Sequence, residues 1–418
     1  MSRPKGSFLF LQGLASPFFT RLGDHLRAGG AEVHRINFCT GDAAYWGRRP
    51  AWAFDSTRQG LTEFLELRLQ DYGISDIMLF GDQRPIHRPA VEIARARGVR
   101  VHVFEEGYVR PNWITLERGG VNADSALPRD PQWYLTVHPT LPNHGDGLPV
   151  RVPLPVRATQ DMAYRLANTL NPVKYPGYRT HRPRPAIVEY AGWARRFASR
   201  PVRSRSDGRL IHRLLGRRRP LFVLPLQLNG DAQIVQHSRF RDMGEVIDEV
   251  LTSFARHAPP AAEILIKNHP LDTGLFHYRR HIARLAEDLG LRERAHYVDH
   301  GYLPTLMEHA AGIVVVNSTV GLSALHQGRP TLALADAIYN IPGLTSQIPL
   351  DDFWREPLPP NPTLLHAFRN TVIHATQVNG DYFTREGIAR AVRGCDRMLE
   401  ERSPLEDLFD RFGRPGLS

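Results

Sequence analysis

Residues 312–321 of the chain read GIVVVNSTVG. The apolar first half has the pattern of a buried strand in a parallel sheet, and a helical pattern begins at Thr319 and ends before Gly328. Between strand and helix lie the small polar residues Asn317, Ser318 and Thr319. Backbone N–H groups and hydroxyls at a helix start form an anion site, so the turn predicts phosphate binding. Ordinary helix capping by Ser318 or Thr319 is the alternative explanation.

The same alternation of strand and helix extends outward over most of the chain. Further strands are predicted at Ser7–Leu11, Glu32–Phe38, Asp76–Phe80, Val99–Phe104, Leu221–Leu226, Ile264–Ile266, Tyr297–Val298 and Thr331–Ala335. Helices are predicted at Pro17–Ala28, Thr57–Asp71, Pro89–Arg97, Phe276–Leu289, Pro362–Ala375 and Thr384–Glu401. This order predicts an α/β protein with two Rossmann-like domains and parallel sheets. We expect an N-terminal domain over 1–180, a second over 181–360, and C-terminal helices over 361–418 that pack back across the junction.

Composition sets limits on the class of protein. The 418 residues are 42% hydrophobic and 23% charged, and no apolar run approaches the roughly 18 residues of a membrane span. The opening run Phe8–Leu11 is too short for a secretory signal. The two cysteines, Cys39 and Cys395, support neither a disulfide framework nor a thiolate metal site. We therefore expect a cytoplasmic protein.

Most of the net charge of +10 comes from one segment, Arg195–Arg219, which contains ten arginines and a single acid, Asp207. A charge run of this kind is often solvated and disordered. Nucleic-acid binding is a second interpretation, but no nucleic-acid-binding module surrounds the segment, and we expect none. Contact with anionic lipid head groups is the third interpretation.

In the first half, polar clusters follow the predicted strands. In an open parallel sheet the carboxyl ends of the strands line the ligand crevice, so these clusters should share one cleft. Glu105 and Glu106 place two carboxylates there, and neighbouring like charges raise one pKa, as an acid or base in catalysis requires. Solvated acids at a loop start are the alternative. Arg110 is either a counter-ion or a ligand for an acidic sugar.

In the second half, Lys267-Asn268-His269-Pro270 follows a predicted strand. A cation and an imidazole at this position suit a phosphate and its leaving oxygen, and a His-Pro surface turn is the alternative. Gln227 and Asp231 follow the preceding strand, and a carboxylate such as Asp231 can act as a nucleophile at an anomeric carbon. A solvated Asn-Gly turn is the alternative. The histidines lack metal-ligand spacing, so we predict no metal.

Taken in this order, the motifs resemble the capsule-polysaccharide β-Kdo transferase family of Gram-negative bacteria, and the chain length resembles its single-module, initiating branch. The resemblance rests on Phe10–Gly13, Glu105–Pro111, Gln227 with Asp231, Lys267–Pro270 and Val316–Gly321. It implies a GT-B-like fold with two facing domains and a metal-independent, retaining transfer of Kdo from CMP-β-Kdo. It also implies that the second domain holds the nucleotide and the first the acceptor. No cofactor is expected besides this donor substrate.

The resemblance also implies roles for individual residues. Asp231 would be the nucleophile that forms a Kdo adduct, with Gln227 beside it. His269 and Lys267 would steady the CMP phosphate. Glu105 or Glu106 would act as acid/base. The remaining substrate contacts would come from Gln12, Gly13, Arg110, Asn317, Ser318 and Thr319.

In the initiating branch, the acceptor is a lyso-phosphatidylglycerol-type lipid. An anionic lipid suits the Arg195–Arg219 segment, so we expect a peripheral protein on the inner face of the cytoplasmic membrane, in contact with other capsule-assembly proteins. Two rival functions stay open. One is another enzyme on the same scaffold, a sialyltransferase or a nucleotide-sugar epimerase, and the other is a non-catalytic component of polysaccharide export.

Overall fold

The computed structural model describes residues 5–56, 60–180, 186–229 and 232–415. The described strands are β1 (Ser7–Phe10), β2 (Glu32–Asn37), β3 (Trp52–Ala53), β4 (Asp76–Phe80), β5 (Arg100–Glu106), β6 (Trp113–Arg118), β7 (Leu221–Pro225), β8 (Glu263–Lys267), β9 (Ala295–Val298), β10 (Gly312–Val315), β11 (Thr331–Ala333) and β12 (Gln377–Asn379). The predicted α/β class is confirmed.

The described helices, apart from short 3-10 turns, are α1 (Phe18–Ala28), α2 (Thr40–Trp46), α3 (Leu61–Asp71), α4 (Arg88–Ala96), α5 (Pro131–Val137), α6 (Leu154–Ala167), α7 (Asn171–Lys174), α8 (Ala186–Leu215), α9 (Ala232–His237), α10 (Met243–His257), α11 (Tyr278–Asp288), α12 (Leu303–Glu308), α13 (Thr319–His326), α14 (Leu350–Phe353), α15 (Pro362–Thr376), α16 (Arg385–Met398) and α17 (Pro404–Phe412). Within the described residues, none of the helices combines the length and the apolar character needed to cross a bilayer.

The chain divides into two compact units. The first contains Met1–Pro128, Thr136–His181 and Phe368–Ser418, and the second contains Arg129–Leu135 and Arg182–Ala367. The C-terminal residues from Phe368 onward therefore belong to the same unit as the N-terminal sheet, and they supply its edge strand β12.

The first unit is built on a sheet with the strand order β12-β6-β5-β4-β1-β2-β3. Alternate residues of β1 pack in two separate hydrophobic cores. Phe8 and Phe10 pack in the core that includes α1 and α16, and Leu9 packs in the core that includes α3 and α4. Burial on both faces explains the continuous apolar run at the start of the chain. The first five strands pair in parallel, as predicted.

The sheet of the first unit also has an antiparallel edge, which the sequence analysis did not predict. The sixth strand pairs antiparallel with β5, and β12 pairs antiparallel with β6. The short connection Gly107–Asn112 allows only a hairpin, because a parallel crossover needs about a dozen residues or more. As a result, Glu105 and Glu106 belong to the paired strand, opposite Thr115 and Ile114.

The second unit is built on a five-stranded sheet in the order β11-β10-β7-β8-β9, and every pairing is parallel. All residues of β7 and β8 are buried, so both faces of these strands are covered. The apolar face of α10, which includes Val246, Ile247 and Val250, packs in the same core as Phe222 and Ile266. The predicted strands of this half are confirmed to within one or two residues at most ends.

The disordered interpretation of the Arg195–Arg219 segment is wrong, because the segment lies largely in the long helix α8. Arg203 pairs with Asp299 at 3.0 Å, and Arg217 and Arg219 both pair with Glu263 at 3.0 Å. The one acid of the segment, Asp207, is buried and accepts the backbone N–H groups of Asp299 and His300. The segment therefore packs on the second unit through acids that lie far away in sequence.

Gly321 in α13 is required by close packing. A Cβ atom at this position would lie 2.3 Å from the Tyr339 hydroxyl. The glycine therefore makes room for Tyr339.

We expect Gly321→Ala to lower the free energy of unfolding by about 1–3 kcal/mol, because the added methyl overpacks a buried contact. Gly208→Ala is the matched control. Gly208 also lies inside a helix but has open space around its Cα, so alanine should stabilise it by up to ~1 kcal/mol. Chemical denaturation of both variants measures the difference. Equal stability of the two would contradict the packing explanation.

Candidate functional site

The carboxyl edge of the second unit's sheet brings two of the predicted loops into direct contact. Gln227 follows β7, and its Nε2 donates to Asn317 Oδ1 at 3.1 Å, while its Oε1 accepts the Asn317 backbone N–H at 3.3 Å. Gln227 is only 6% exposed. The two predicted substrate-binding residues therefore form one rigid pair, because β7 and β10 are neighbours in the sheet.

The turn that follows Asn317 has the geometry of a helix cap. Ser318 is the N-cap residue of α13, and its Oγ accepts the Val320 backbone N–H at 3.2 Å. Thr319 is the first residue of that helix and is half-buried. The capping alternative is thus confirmed for Ser318, and phosphate binding at the helix N-terminus stays a prediction.

The Lys267 ammonium lies under the next loop. Its Nζ donates to the backbone oxygens of Asn268 at 2.7 Å and Asp299 at 3.4 Å, and the side chain is 5% exposed. Burial, together with the nearby Arg196 guanidinium, lowers the pKa of Lys267 to about 8. The ammonium therefore holds the ends of β8 and β9 together and adds a positive charge beneath the loop.

His269 has a defined hydrogen-bond pattern in this loop. Its backbone N–H donates to Asn268 Oδ1 at 2.8 Å, and its Nδ1 accepts the Leu271 N–H at 3.1 Å. A backbone N–H only donates, so the contact favours the neutral ring with its proton on Nε2. The loop thus orients His269 as an Nε2–H donor, the group that a phosphate oxygen accepts from.

The sequence analysis missed Asp299, which follows the next strand in the sheet. Burial alone would raise the pKa of Asp299, but hydrogen bonds from Tyr297, Asn268 and Arg279 lower it to about 2. Asn268 links this carboxylate to Asp272. Strand β9 was predicted, and the same rule about polar residues at strand ends would have pointed to Asp299.

In the first unit, Gln12 lies inside a buried polar cluster. Its Nε2 is 3.2 Å from Asp42 Oδ2 and 3.3 Å from the hydroxyls of both Tyr164 and Tyr178. Gly13 is buried next to it, where a Cβ atom would lie 2.9 Å from the Phe19 ring. The structure thus gives both predicted substrate-binding residues a packing role.

Arg84 was also missed, although it follows the predicted turn after β4. Its Nη1 donates to the Gly13 carbonyl at 2.7 Å. Burial lowers the pKa of the guanidinium, and negative groups nearby, Glu105 among them, oppose that shift. Arg84 therefore places a cation beside the carboxylate of Glu105.

The two glutamates have different surroundings because successive residues of a strand point to opposite faces. Glu105 Oε2 lies near Gly81, on the side of Arg84. Glu106 forms an ion pair with Arg157 of α6 at 2.9 Å. Arg110 is exposed, and its Nε donates to the Gly107 carbonyl at 3.2 Å.

Asp231, the predicted nucleophile, lies outside the described residues, as does Gly230. The preceding residue Asn229 accepts the Met243 N–H at the start of α10 with its side-chain oxygen at 3.0 Å. Over the part of the chain that the structure describes, His, Cys, Asp and Glu form no group of three or more suited to a metal ion.

We expect the Gln227–Asn317 pair to act as a unit. Gln227→Ala and Asn317→Ala should each lower the free energy of unfolding by about 1–3 kcal/mol, because each leaves a partly buried amide without its partner. A double-mutant cycle from chemical denaturation should give a coupling energy of about 0.5–3 kcal/mol. Additive effects of the two substitutions would show that the pair does not fix the strand ends.

Comparison with known proteins gives the family. The family model described as capsule polysaccharide biosynthesis protein matches residues 75–383. The capsule polysaccharide modification protein LipB of Neisseria meningitidis serogroup B is 36% identical over 392 residues, which cover 91% of this chain and 92% of that protein. The capsule polysaccharide export protein KpsS of Escherichia coli is 36% identical over 378 residues, covering 90% and 96%.

One solved structure, described as the β-Kdo 2,7 transferase of Thermosulfurimonas dismutans KpsC, aligns with a TM-score of 0.46 and 15% identity over 93% of this chain and 98% of its own. The family match and the two relatives each cover most of the chain. The chain belongs to the capsule polysaccharide biosynthesis protein family.

Proposed function

We propose that the protein is a retaining β-Kdo glycosyltransferase. It transfers Kdo from CMP-β-Kdo to a phosphatidylglycerol-type or lyso-phosphatidylglycerol-type lipid and so begins the linker of the capsular polysaccharide. Family membership limits the process to capsule biosynthesis. The enzymatic proposal rests on the carboxyl edge of the second unit's sheet. There Gln227, paired with Asn317, follows β7, and Lys267 and His269 lie at the end of the neighbouring strand β8.

This edge offers donors that suit the phosphate of a nucleotide sugar. The N-terminus of α13 presents backbone N–H groups with Ser318 and Thr319. His269 provides an Nε2–H, and Lys267, with a pKa of about 8, is mostly protonated at neutral pH. We propose that Lys267 and the N-terminus of α13, and no metal or organic cofactor, balance the charge of the leaving phosphate.

The proposed chemistry has two displacements. A carboxylate oxygen of Asp231 attacks the anomeric carbon of Kdo, and the bond to the phosphate oxygen breaks, so that CMP leaves with the electron pair. An acceptor hydroxyl then attacks the same carbon, its proton passes to a glutamate, and the Asp231 carboxylate leaves. Two inversions at one carbon retain the β configuration.

We assign the proton transfer to Glu105. Glu106 lies on the opposite face of the strand, where it forms an ion pair with Arg157 at 2.9 Å. Glu105 lies on the side of Gly81 and Arg84, at the carboxyl end of β4, where the ligand edge of a parallel sheet is found.

We further propose that the protein works at the inner face of the cytoplasmic membrane, with an anionic lipid acceptor and other capsule-assembly proteins. Arg200, Arg205 and Arg209 of α8 are exposed and suit an anionic surface. Because KpsS is described as an export protein, a non-catalytic export role is the second candidate function. Another CMP-sugar transferase or a nucleotide-sugar epimerase is the third.

Incubation with CMP-Kdo followed by mass spectrometry of the intact protein should reveal a Kdo adduct. The adduct and the release of CMP should both disappear in Asp231→Ala, because this variant lacks the attacking carboxylate. CMP-sialic acid is the control donor and should give neither product. Capsule lipid that still acquires its first Kdo from Asp231→Ala would show that the catalytic assignment is wrong.

Substitutions of Glu105 and Glu106 should have different effects on the rate of the second displacement. Glu105→Gln should lower kcat by about 100-fold or more, because the acceptor proton loses its base. The Kdo adduct should form normally in this variant and then accumulate. Glu106→Gln is the matched control, with an expected change in kcat of less than about fivefold, since it loses a partly exposed ion pair. A reversal of the two effects would assign the base to Glu106.

A further inference from the structure

Exposed apolar side chains are concentrated on one helical segment of the first unit. They form a row along α6, the 3-10 turn Asn168–Leu170 and α7, and we call this row the α6 stripe. Its members and their exposed fractions are Leu154 (61%), Met162 (58%), Leu166 (72%), Leu170 (51%) and Val173 (83%). The spacing of four or three residues between Met162 and Val173 keeps successive members on neighbouring turns of one helix face.

The opposite face of the same segment is fixed to the first unit by hydrogen bonds. The Tyr164 hydroxyl donates to Asp42 at 3.0 Å, and the side-chain oxygens of Asn168 and Asn171 accept the backbone N–H groups of Gly41 and Thr40. The orientation of the helix is therefore set by its polar side. Its apolar side faces solvent, which is the reverse of an ordinary surface helix.

Basic residues flank the stripe. Arg151 before it and Lys174 and Arg179 after it are exposed. The one acid between residues 150 and 180 is Asp161, which pairs with Arg165 at 2.7 Å. An apolar row with a cationic border matches the boundary between the head groups and acyl chains of an anionic bilayer.

We propose that the α6 stripe is the surface by which the first unit enters an anionic membrane. The apolar side chains lie among the upper acyl chains, and Arg151, Lys174 and Arg179 contact lipid phosphates. The choice of a bilayer as the occupant rests on the proposed function in one respect, the lipid nature of the acceptor. The surface differs from the Arg195–Arg219 segment in unit, in position and in its apolar character.

The helix that carries the stripe also contacts residues of the candidate site. Tyr164 lies within 3.3 Å of Gln12 Nε2, and Arg157 pairs with Glu106. One helix therefore has a lipid-facing side and a side in contact with the Gln12 cluster. Membrane entry by α6 would place a lipid acceptor at the same unit as Glu105.

Vesicle flotation tests the proposal with the full chain. Vesicles of phosphatidylglycerol and phosphatidylcholine should bind the wild-type protein, and vesicles of phosphatidylcholine alone should bind it more weakly. Leu166→Gln/Leu170→Gln should lower the affinity for anionic vesicles about tenfold or more, because binding scales with buried apolar area. Met162→Gln/Val173→Gln is a second, independent stripe variant with the same expectation.

Leu67→Gln/Leu358→Gln is the matched control, since these leucines are 51% and 64% exposed elsewhere on the chain. It should bind vesicles like the wild type. Unchanged binding by both stripe variants, or an equal loss in the control, would overturn the proposal. So would a loss confined to Arg205→Gln/Arg209→Gln, which would assign the contact to α8. A wild-type dimer that the stripe variants convert to monomers would show that a second copy covers the stripe.

Vesicle binding by the α6 stripe and the proposed transferase activity can be tested separately. Flotation requires no donor and no turnover, so Asp231→Ala should bind vesicles like the wild type. The stripe variants should keep the wild-type kcat on a monomeric short-chain phosphatidylglycerol and lose rate only on acceptor in vesicles. Loss of adduct chemistry with intact flotation would reject the enzyme assignment alone, and the opposite result would reject the membrane surface alone.

Discussion

The carboxyl edge of a parallel sheet imposes a constraint on which the candidate site depends. All the parallel strands end at this edge of the sheet, so the backbone N–H and C=O groups there need hydrogen-bond partners in neighbouring loops. In the second unit the Gln227–Asn317 amide pair joins the ends of β7 and β10, and Lys267 and Asn268 join the ends of β8 and β9. The loops that would hold a donor are thus tied to the sheet and to one another, which is the rigidity that a binding site requires.

Buried acids of the second unit are paired with groups that lie far away in the sequence. The Arg195–Arg219 segment supplies partners for Glu263 and Asp299, which are almost completely buried and would be costly without a cation nearby. The acid of the same segment, Asp207, binds backbone N–H groups at the end of β9. Part of the net positive charge is therefore structural.

Helix α6 of the first unit has a polar side and an apolar side with different surroundings. Its polar side contacts Asp42 and, through Tyr164, Gln12, whereas its apolar side forms the α6 stripe. The same helix pairs Arg157 with Glu106, whereas Glu105 lies on the side of Arg84.

The α/β class, most strand positions and the polar loops at strand ends could be predicted from sequence alone, because buried strands and helix faces leave short-range apolar patterns. The pairing of Gln227 with Asn317, the contacts of the Arg195–Arg219 segment with Glu263 and Asp299, and the opposite surroundings of Glu105 and Glu106 could not be predicted. The antiparallel edge formed by β6 and β12 was missed for the same reason. Each of these depends on which distant segments become neighbours, and strand order and burial decide that only once the chain has folded.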